Sequence, residues 1–181
     1  MSKHVLFIQG GGEEGFKADA TLVASLQTAL GGSYQVHYPR LTSDETQPDF
    51  GWPQQIEKEI RAMPDPVWLV GHSLGASMLL KCLTERPLHK KITGLFLLAT
   101  PFWSGEEAWQ QGLALQEDFP DHLPKQVPIF LYHCRDDEEV SFEHLSIYAQ
   151  KLPQATVRAL AQGGHPFQHA LALVTHDVKS V

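Results

Sequence analysis

The sequence predicts a three-layer α/β/α sandwich built around a mostly parallel sheet of about six strands. Apolar runs of strand length alternate with segments of helical periodicity along the whole chain. Several of the strand runs are continuously apolar, as strands covered on both faces are. No internal repeat, low-complexity tract or linker interrupts the alternation, so residues 1–181 read as one domain.

Val5 to Ile8 is a short apolar run that stops at Gly10-Gly11-Gly12, the mark of a buried first strand. Lys17 to Leu30 carries Leu22, Val23, Leu26 and Leu30 at helical spacing and stops at Gly31-Gly32. Tyr34 to Tyr38 alternates and meets Pro39, a second strand. Trp52 to Met63 reads as a helix with Pro53 in its first turn and Pro64 after its end. Val67 to Val70 is a third strand. The helix expected from Ser73 to Glu85 is apolar nearly all round, which places it inside the fold. Ile92 to Ala99 and Val127 to Cys134 are the next strands, and Ser141 to Lys151 is a helix. Ala155 to Leu160 is a sixth strand, and a last helix is expected from about Pro166 to Lys179.

Hydrophobic residues make up 43% of the chain, enough for a packed core without a staple. A net charge of −7 argues against a nucleic-acid partner or an anionic membrane surface. The first apolar run is too short for a secretory signal, and no stretch is long enough to span a bilayer, so a cytoplasmic location is expected. Cys82 falls in an apolar helical run and Cys134 ends an apolar strand. Neither has a partner at zinc or redox spacing, so both are expected to be buried, reduced thiols.

Gly71-His72-Ser73-Leu74-Gly75 fits the G-x-S-x-G nucleophile elbow. The serine of such a motif sits on a strained strand-to-helix turn, and side chains two residues to either side would collide with that turn. The context agrees, since an apolar strand precedes the motif and a buried helix follows it. Such a serine needs a base. His165 follows Gly163-Gly164 on the loop after the last strand, where two glycines leave the backbone free to present the imidazole. His169 and His176 fall on the expected last helix and read as packing or surface residues. His165 and His169 are spaced as a metal pair would be on a helix, but no third ligand stands at a fitting place, so no metal is expected. A carboxylate should orient the base, and Asp136 and Asp137 both follow the strand that ends at Cys134. Adjacent residues of an extended segment point in opposite directions, so only one of the two can serve. The oxyanion of an acyl transfer needs donors. The N–H of Leu74 is one candidate, and the N–H of Gly11, in the glycine loop after the first strand, is the other. That loop lacks the spacing of either nucleotide-binding glycine motif.

With these residues placed, the chain resembles the α/β-hydrolase superfamily over essentially its full length. Within it, the chain is similar to the small serine hydrolases related to retinoblastoma-binding protein nine. The shared features are compact size, a strand followed by a glycine-rich loop, GHSLG, the acidic pair in RDDEEVSFEH, and GGH before the last helix. The resemblance implies a Ser–Asp–His triad of Ser73, Asp137 and His165, with Asp137 in a D-x-x-V pattern ending at Val140. Ser141 stands where that family commonly has proline. The implied activity is hydrolysis of carboxylic esters or thioesters of a small-molecule acyl substrate through an acyl-enzyme, without metal or organic cofactor. The rival expectation is a non-catalytic binding or regulatory protein on the same fold. The irregular stretch from Pro101 to Lys125 carries Phe102, Trp103, Trp109 and Phe119. It reads either as a minimal cap lining an acyl pocket or as a seal between a helix and the sheet.

Overall fold

Strict alternation of side chains along the apolar strands decides the architecture. In β1 (Lys3–Ile8), Leu6 and Ile8 join one buried cluster while Val5 and Phe7 join another. The same division holds in β3 (Val67–His72), β4 (Ile92–Leu98) and β5 (Ile129–Cys134). Each strand therefore feeds two cores, and both faces of the sheet need helices. The computed structural model, which describes residues 1–181, supplies them. Helices α2 (Trp52–Ala62), α3 (Leu74–Glu85), α4 (Phe119–His122) and α5 (Glu143–Lys151) cover one face. Helices α1 (Gly15–Leu30) and α6 (Ala172–Ser180) cover the other.

With β2 (Tyr34–His37) and β6 (Thr156–Leu160), the strands form one six-stranded sheet in the order β2-β1-β3-β4-β5-β6. Every neighbouring pair is parallel. The fold is the expected α/β/α sandwich, with a wholly rather than mostly parallel sheet. After β1 the chain passes to α1 on one face, and after β3 it passes to α3 on the other. The loops at the ends of these adjacent strands lead to opposite faces, the arrangement of a switch point in open α/β sheets.

One expectation changes, and the 101–125 stretch takes the second of its two readings. The last helix begins at Ala172, not near Pro166. Phe167 and His169 take positive φ, 54° and 57°, which a helix does not accept. His169 therefore lies on a turn, and the helix-face pairing with His165 that a metal site would use does not exist. The stretch 101–125 is mostly a seal: Leu113, Phe119 and Leu123 are buried in the core beside α3, and Trp103 Nε1–H donates to Ser77 Oγ at 3.1 Å. Trp109 is exposed and meets Trp103 edge-on. The described chain has no helix long and apolar enough to cross a membrane.

The turn between β3 and α3 is tightly packed on both sides. A Cβ on Gly71 would stand 2.7 Å from Ala76 Cα, and one on Gly75 would overlap the Gln9 carbonyl oxygen. Gly75→Ala should therefore destabilise the protein by about 1–3 kcal/mol or more, the range for overpacking a filled core. Gly32→Ala is the control, because nothing lies within 4 Å of its would-be Cβ. It should stay within about 0.5 kcal/mol of the parent. Urea unfolding midpoints of the two variants check this, and equal shifts would contradict the packing account.

Candidate active site

Ser73 stands between β3 and α3 with φ 55° and ψ −127°, a conformation that L residues rarely adopt. Its N–H donates to the Leu98 carbonyl at the end of β4, which anchors the turn to the sheet. The glycine loop after β1 packs directly on it. A Cβ on Gly10 would lie 3.5 Å from Ser73 Cβ, and one on Gly11 would lie 2.7 Å from Leu74 Cδ2. The loop thus sits against both the serine and the residue after it. Gly10 N–H is already committed to Asp19 Oδ2 at 2.7 Å. Gly11 N–H donates to no atom of the chain. Leu74, as the first residue of α3, has an N–H with no partner inside the helix.

Asp137 follows the end of β5, with its side chain fully buried. Its Oδ2 lies 2.9 Å from His165 Nδ1. Its Oδ1 accepts the N–H groups of Glu139 and Val140 at 2.8 and 2.9 Å, which closes the turn of the D-x-x-V segment. Burial opposes the charge of Asp137. The N–H of Val140, the His165 ring and the N–H of Glu139 outweigh that penalty and hold the carboxyl below its ordinary value of 3.8. Asp136 has another task. It accepts the N–H groups of Gly163 and Gly164 at 3.3 and 2.9 Å and so braces the loop that presents His165. That loop turns through positive φ at Gly163 and Gly164, 142° and 63°. Phe167, 1% exposed, pins it into the core at the face of α1 and α6.

The structure thus brings Asp137 and His165 into hydrogen-bond contact and sets Gly11 and Leu74 beside Ser73. It does not draw a hydrogen bond between Ser73 Oγ and His165. The outer nitrogen of His165, Nε2, instead faces the carboxylate of Glu139 at 3.4 Å. Glu139 is 71% exposed and makes no other side-chain contact, so it is free to swing aside. A polar cleft of about 560 Å³ opens on that side of His165, lined among others by Asp136, Glu139, Gln168 and His169.

Three polar residues here were not singled out from the sequence. His133 is buried in β5, where its Nε2–H is shared between the Val140 carbonyl at 2.9 Å and Asp137 Oδ2 at 3.2 Å. Burial, offset in part by that carbonyl, lowers its pKa, so the ring is a neutral donor to Asp137. His144 Nδ1 accepts the Phe102 N–H at 2.8 Å, which ties the start of the 101–125 stretch to α5. Asp19, in α1, meets His72 in a buried contact. The two cysteines are free and buried, and burial pushes each thiol up to about 12, so neither is a ready nucleophile.

A family model described as serine hydrolase matches residues 24–170. No curated protein sequence matches the chain. Solved structures resemble it over nearly all of its length. The esterase domain of a Rhodothermus marinus protein is 18% identical, with a TM-score of 0.71, covering 98% of this chain and 84% of that one. A thioesterase domain from the curacin biosynthetic pathway is 19% identical, with a TM-score of 0.69 and coverage of 98% and 91%. Alpha/beta hydrolase domain-containing protein 10 from mouse is 18% identical, with a TM-score of 0.65 and coverage of 99% and 89%. At such identities the likeness is one of fold.

The histidines also set a pH dependence of stability. Burial lowers the pKa of His133, His144 and His37 below the ordinary 6.5. The unfolded chain therefore binds protons near pH 6.5 that the folded chain does not, and stability falls as pH drops through that value. The depressed Asp137 adds a second loss, as pH falls below 3.8 through its folded value. Urea midpoints at pH 8, 6.5 and 5.5 should decline in that order. A midpoint that is flat or rises on acidification contradicts the buried neutral histidines.

Proposed function

The chain belongs to the serine hydrolase family, and from that premise we propose that it cleaves carboxylic esters or thioesters through Ser73, His165 and Asp137. The observation that carries this reading is the fully buried Asp137 carboxylate against His165 Nδ1, on a loop whose His165 carbonyl is bonded to His72, the residue before a serine held in a strained turn. A carboxylate at Nδ1 keeps that nitrogen protonated, which leaves Nε2 unprotonated and able to act as a base.

Once Glu139 moves aside, His165 Nε2 takes the proton of Ser73 as Oγ attacks the acyl carbonyl. The carbonyl oxygen becomes an oxyanion that accepts from the N–H groups of Gly11 and Leu74. Gly10 N–H is already engaged by Asp19, which supports Gly11 as the donor from that loop. The tetrahedral intermediate collapses, and the leaving alcohol or thiol takes its proton from His165. Water, deprotonated by the same nitrogen, then releases the acid and restores Ser73. Protons passed through His165 balance every step, so the cycle calls for no cofactor. The esterase and thioesterase domains among the structural relatives perform named reactions that suit the same ester or thioester substrates. The reading takes residues 1–181 as one catalytic domain acting on a small-molecule acyl substrate. Buried free thiols suit the reducing cytoplasm as its location.

The rival is a binding protein on the same fold, and its one supporting observation is the missing Ser73–His165 hydrogen bond. Such bonds are often long in the absence of substrate and tighten as it binds. Kinetics decide between the readings. With p-nitrophenyl acetate, His165→Gln should leave less than about a hundredth of the parent kcat. Asp137→Asn should lower kcat about 10³–10⁴-fold, by losing the correct tautomer. Asp136→Asn keeps an oxygen for the shorter of the two loop bonds, from Gly164 N–H, and should change kcat by less than about tenfold. No turnover by the parent on esters or thioesters would favour the binding protein, and a reversed ranking of the two aspartates would move the acid to Asp136.

A further inference from the structure

The residue before Ser73 is a buried histidine that the proposed reaction leaves idle. His72 is 2% exposed, and its partner Asp19, on α1, is 5% exposed. Both Asp19 oxygens lie 2.9 Å from His72 Nδ1. On the other side of the ring, Nε2 lies 2.8 Å from the backbone carbonyl oxygen of His165. Asp19 Oδ2 also accepts Gly10 N–H.

These neighbours fix the protons. A carbonyl oxygen only accepts, so His72 Nε2 must carry a hydrogen. At Nδ1 the partner is a carboxyl, and one further proton must lie between the two, on nitrogen or on oxygen. A singly protonated ring facing an ionised carboxylate would leave two lone pairs opposed, in a place where an unmatched buried charge is strongly unfavourable. Asp19 and His72 are therefore a pair that is neutral as a unit, with one proton shared and one given to the His165 carbonyl. As a neutral unit it sets no net charge against the imidazolium that forms on His165, although the two rings are only 4.8 Å apart. Phe167 closes the site with its ring perpendicular to His72, 6.0 Å between centroids.

The pair touches three separate segments. Through Gly10 it holds the glycine loop, through His72 itself it holds the elbow, and through the His165 carbonyl it holds the loop of the base. We infer that Asp19 and His72 are positioning residues of the reaction, which set His165 and Gly11 in register with Ser73 by bonding the three loops to one buried hub. The inference rests on the triad proposed above. Stability alone is a weak reason for such a pair, because well-packed apolar residues often replace a buried ion pair at no loss.

Asp19→Leu is the direct test, with Asp19→Asn as the rescue. Leucine keeps about the volume but can neither accept Gly10 N–H nor pair with His72 Nδ1. Asparagine keeps both links, because its oxygen can accept Gly10 N–H and its amide N–H can donate to the bare Nδ1 of a ring whose Nε2–H still serves the His165 carbonyl. On p-nitrophenyl acetate, kcat per folded molecule should fall about 10–100-fold in Asp19→Leu with KM within about threefold, the scale of a small misplacement of reacting groups, and should stay within about threefold of the parent in Asp19→Asn. The folded fraction is read from the urea curve of the same sample. In the unsubstituted enzyme, ¹⁵N-resolved imidazole spectra at pH 7.5 should show a protonated Nε2 on His72, assigned through loss of the signal in His72→Gln. An unchanged kcat in Asp19→Leu, or a loss that the folded fraction fully explains, overturns the inference. So does an unprotonated Nε2 on His72. Ser73→Ala separates this failure from that of the triad. If Ser73→Ala is inactive while Asp19→Leu is normal, only the positioning role falls. If Ser73→Ala keeps its activity, the triad falls and the positioning role with it.

Discussion

The chain reverses between β3 and α3 in a space that admits no side chain at Gly71 or Gly75. Everything at the site depends on that reversal. It holds Ser73 at positive φ, seats the glycine loop of β1 against Ser73 and Leu74, and leaves the first N–H of α3 without a partner inside the helix. The strain is offset elsewhere. Val67, Leu69 and Val70 are fully buried in β3, and Ala76, Met78, Leu79 and Leu80 are fully buried in α3, so the two arms of the turn are fixed by the core on both sides. The position of β3 next to β1 follows from the same apolar alternation, which commits each central strand to two faces.

Polar groups then complete what packing begins. Asp137 is surrounded by donors from His165, His133 and the backbone of its own turn. Such a carboxylate stays ionised although buried, and it has little freedom to move. Asp136, its neighbour, points the other way and serves the backbone of the histidine loop. The adjacent pair thus divides two tasks, one on the imidazole and one on the segment that carries it. On the far side, Asp19 and His72 link that segment to the glycine loop. The loops at the ends of β1, β3 and β6 are bound to one another as well as to the sheet.

Much of this was legible in the sequence because it rests on local signals. The strands announced themselves as apolar runs, the strained turn as spaced glycines between a strand and a buried helix, and the proposed base as a histidine after two glycines. The choice between Asp136 and Asp137 was not decided by the residues alone. Alternation showed that one must turn away, and the resemblance implied which. The missed features depend on distant contacts. Asp19 reads as an ordinary polar residue of an amphipathic helix, and it meets a histidine 53 positions later. The signal that could have found it was His72, since a polar side chain at the end of a buried strand must have a partner. The start of α6 was misplaced because Phe167 and His169 adopt positive φ without being glycine, and a tertiary contact holds Phe167 there. Propensity and periodicity carry no trace of that contact.

The central claim is that Ser73 is the activated nucleophile of an acyl-transfer site. Reaction of the intact protein with a fluorophosphonate, followed by mass spectrometry of its peptides, tests it most directly. The account predicts a single adduct, on Ser73, because an activated serine reacts far faster than an ordinary surface hydroxyl. An adduct on another residue, or no adduct in a preparation that hydrolyses p-nitrophenyl acetate, would contradict it.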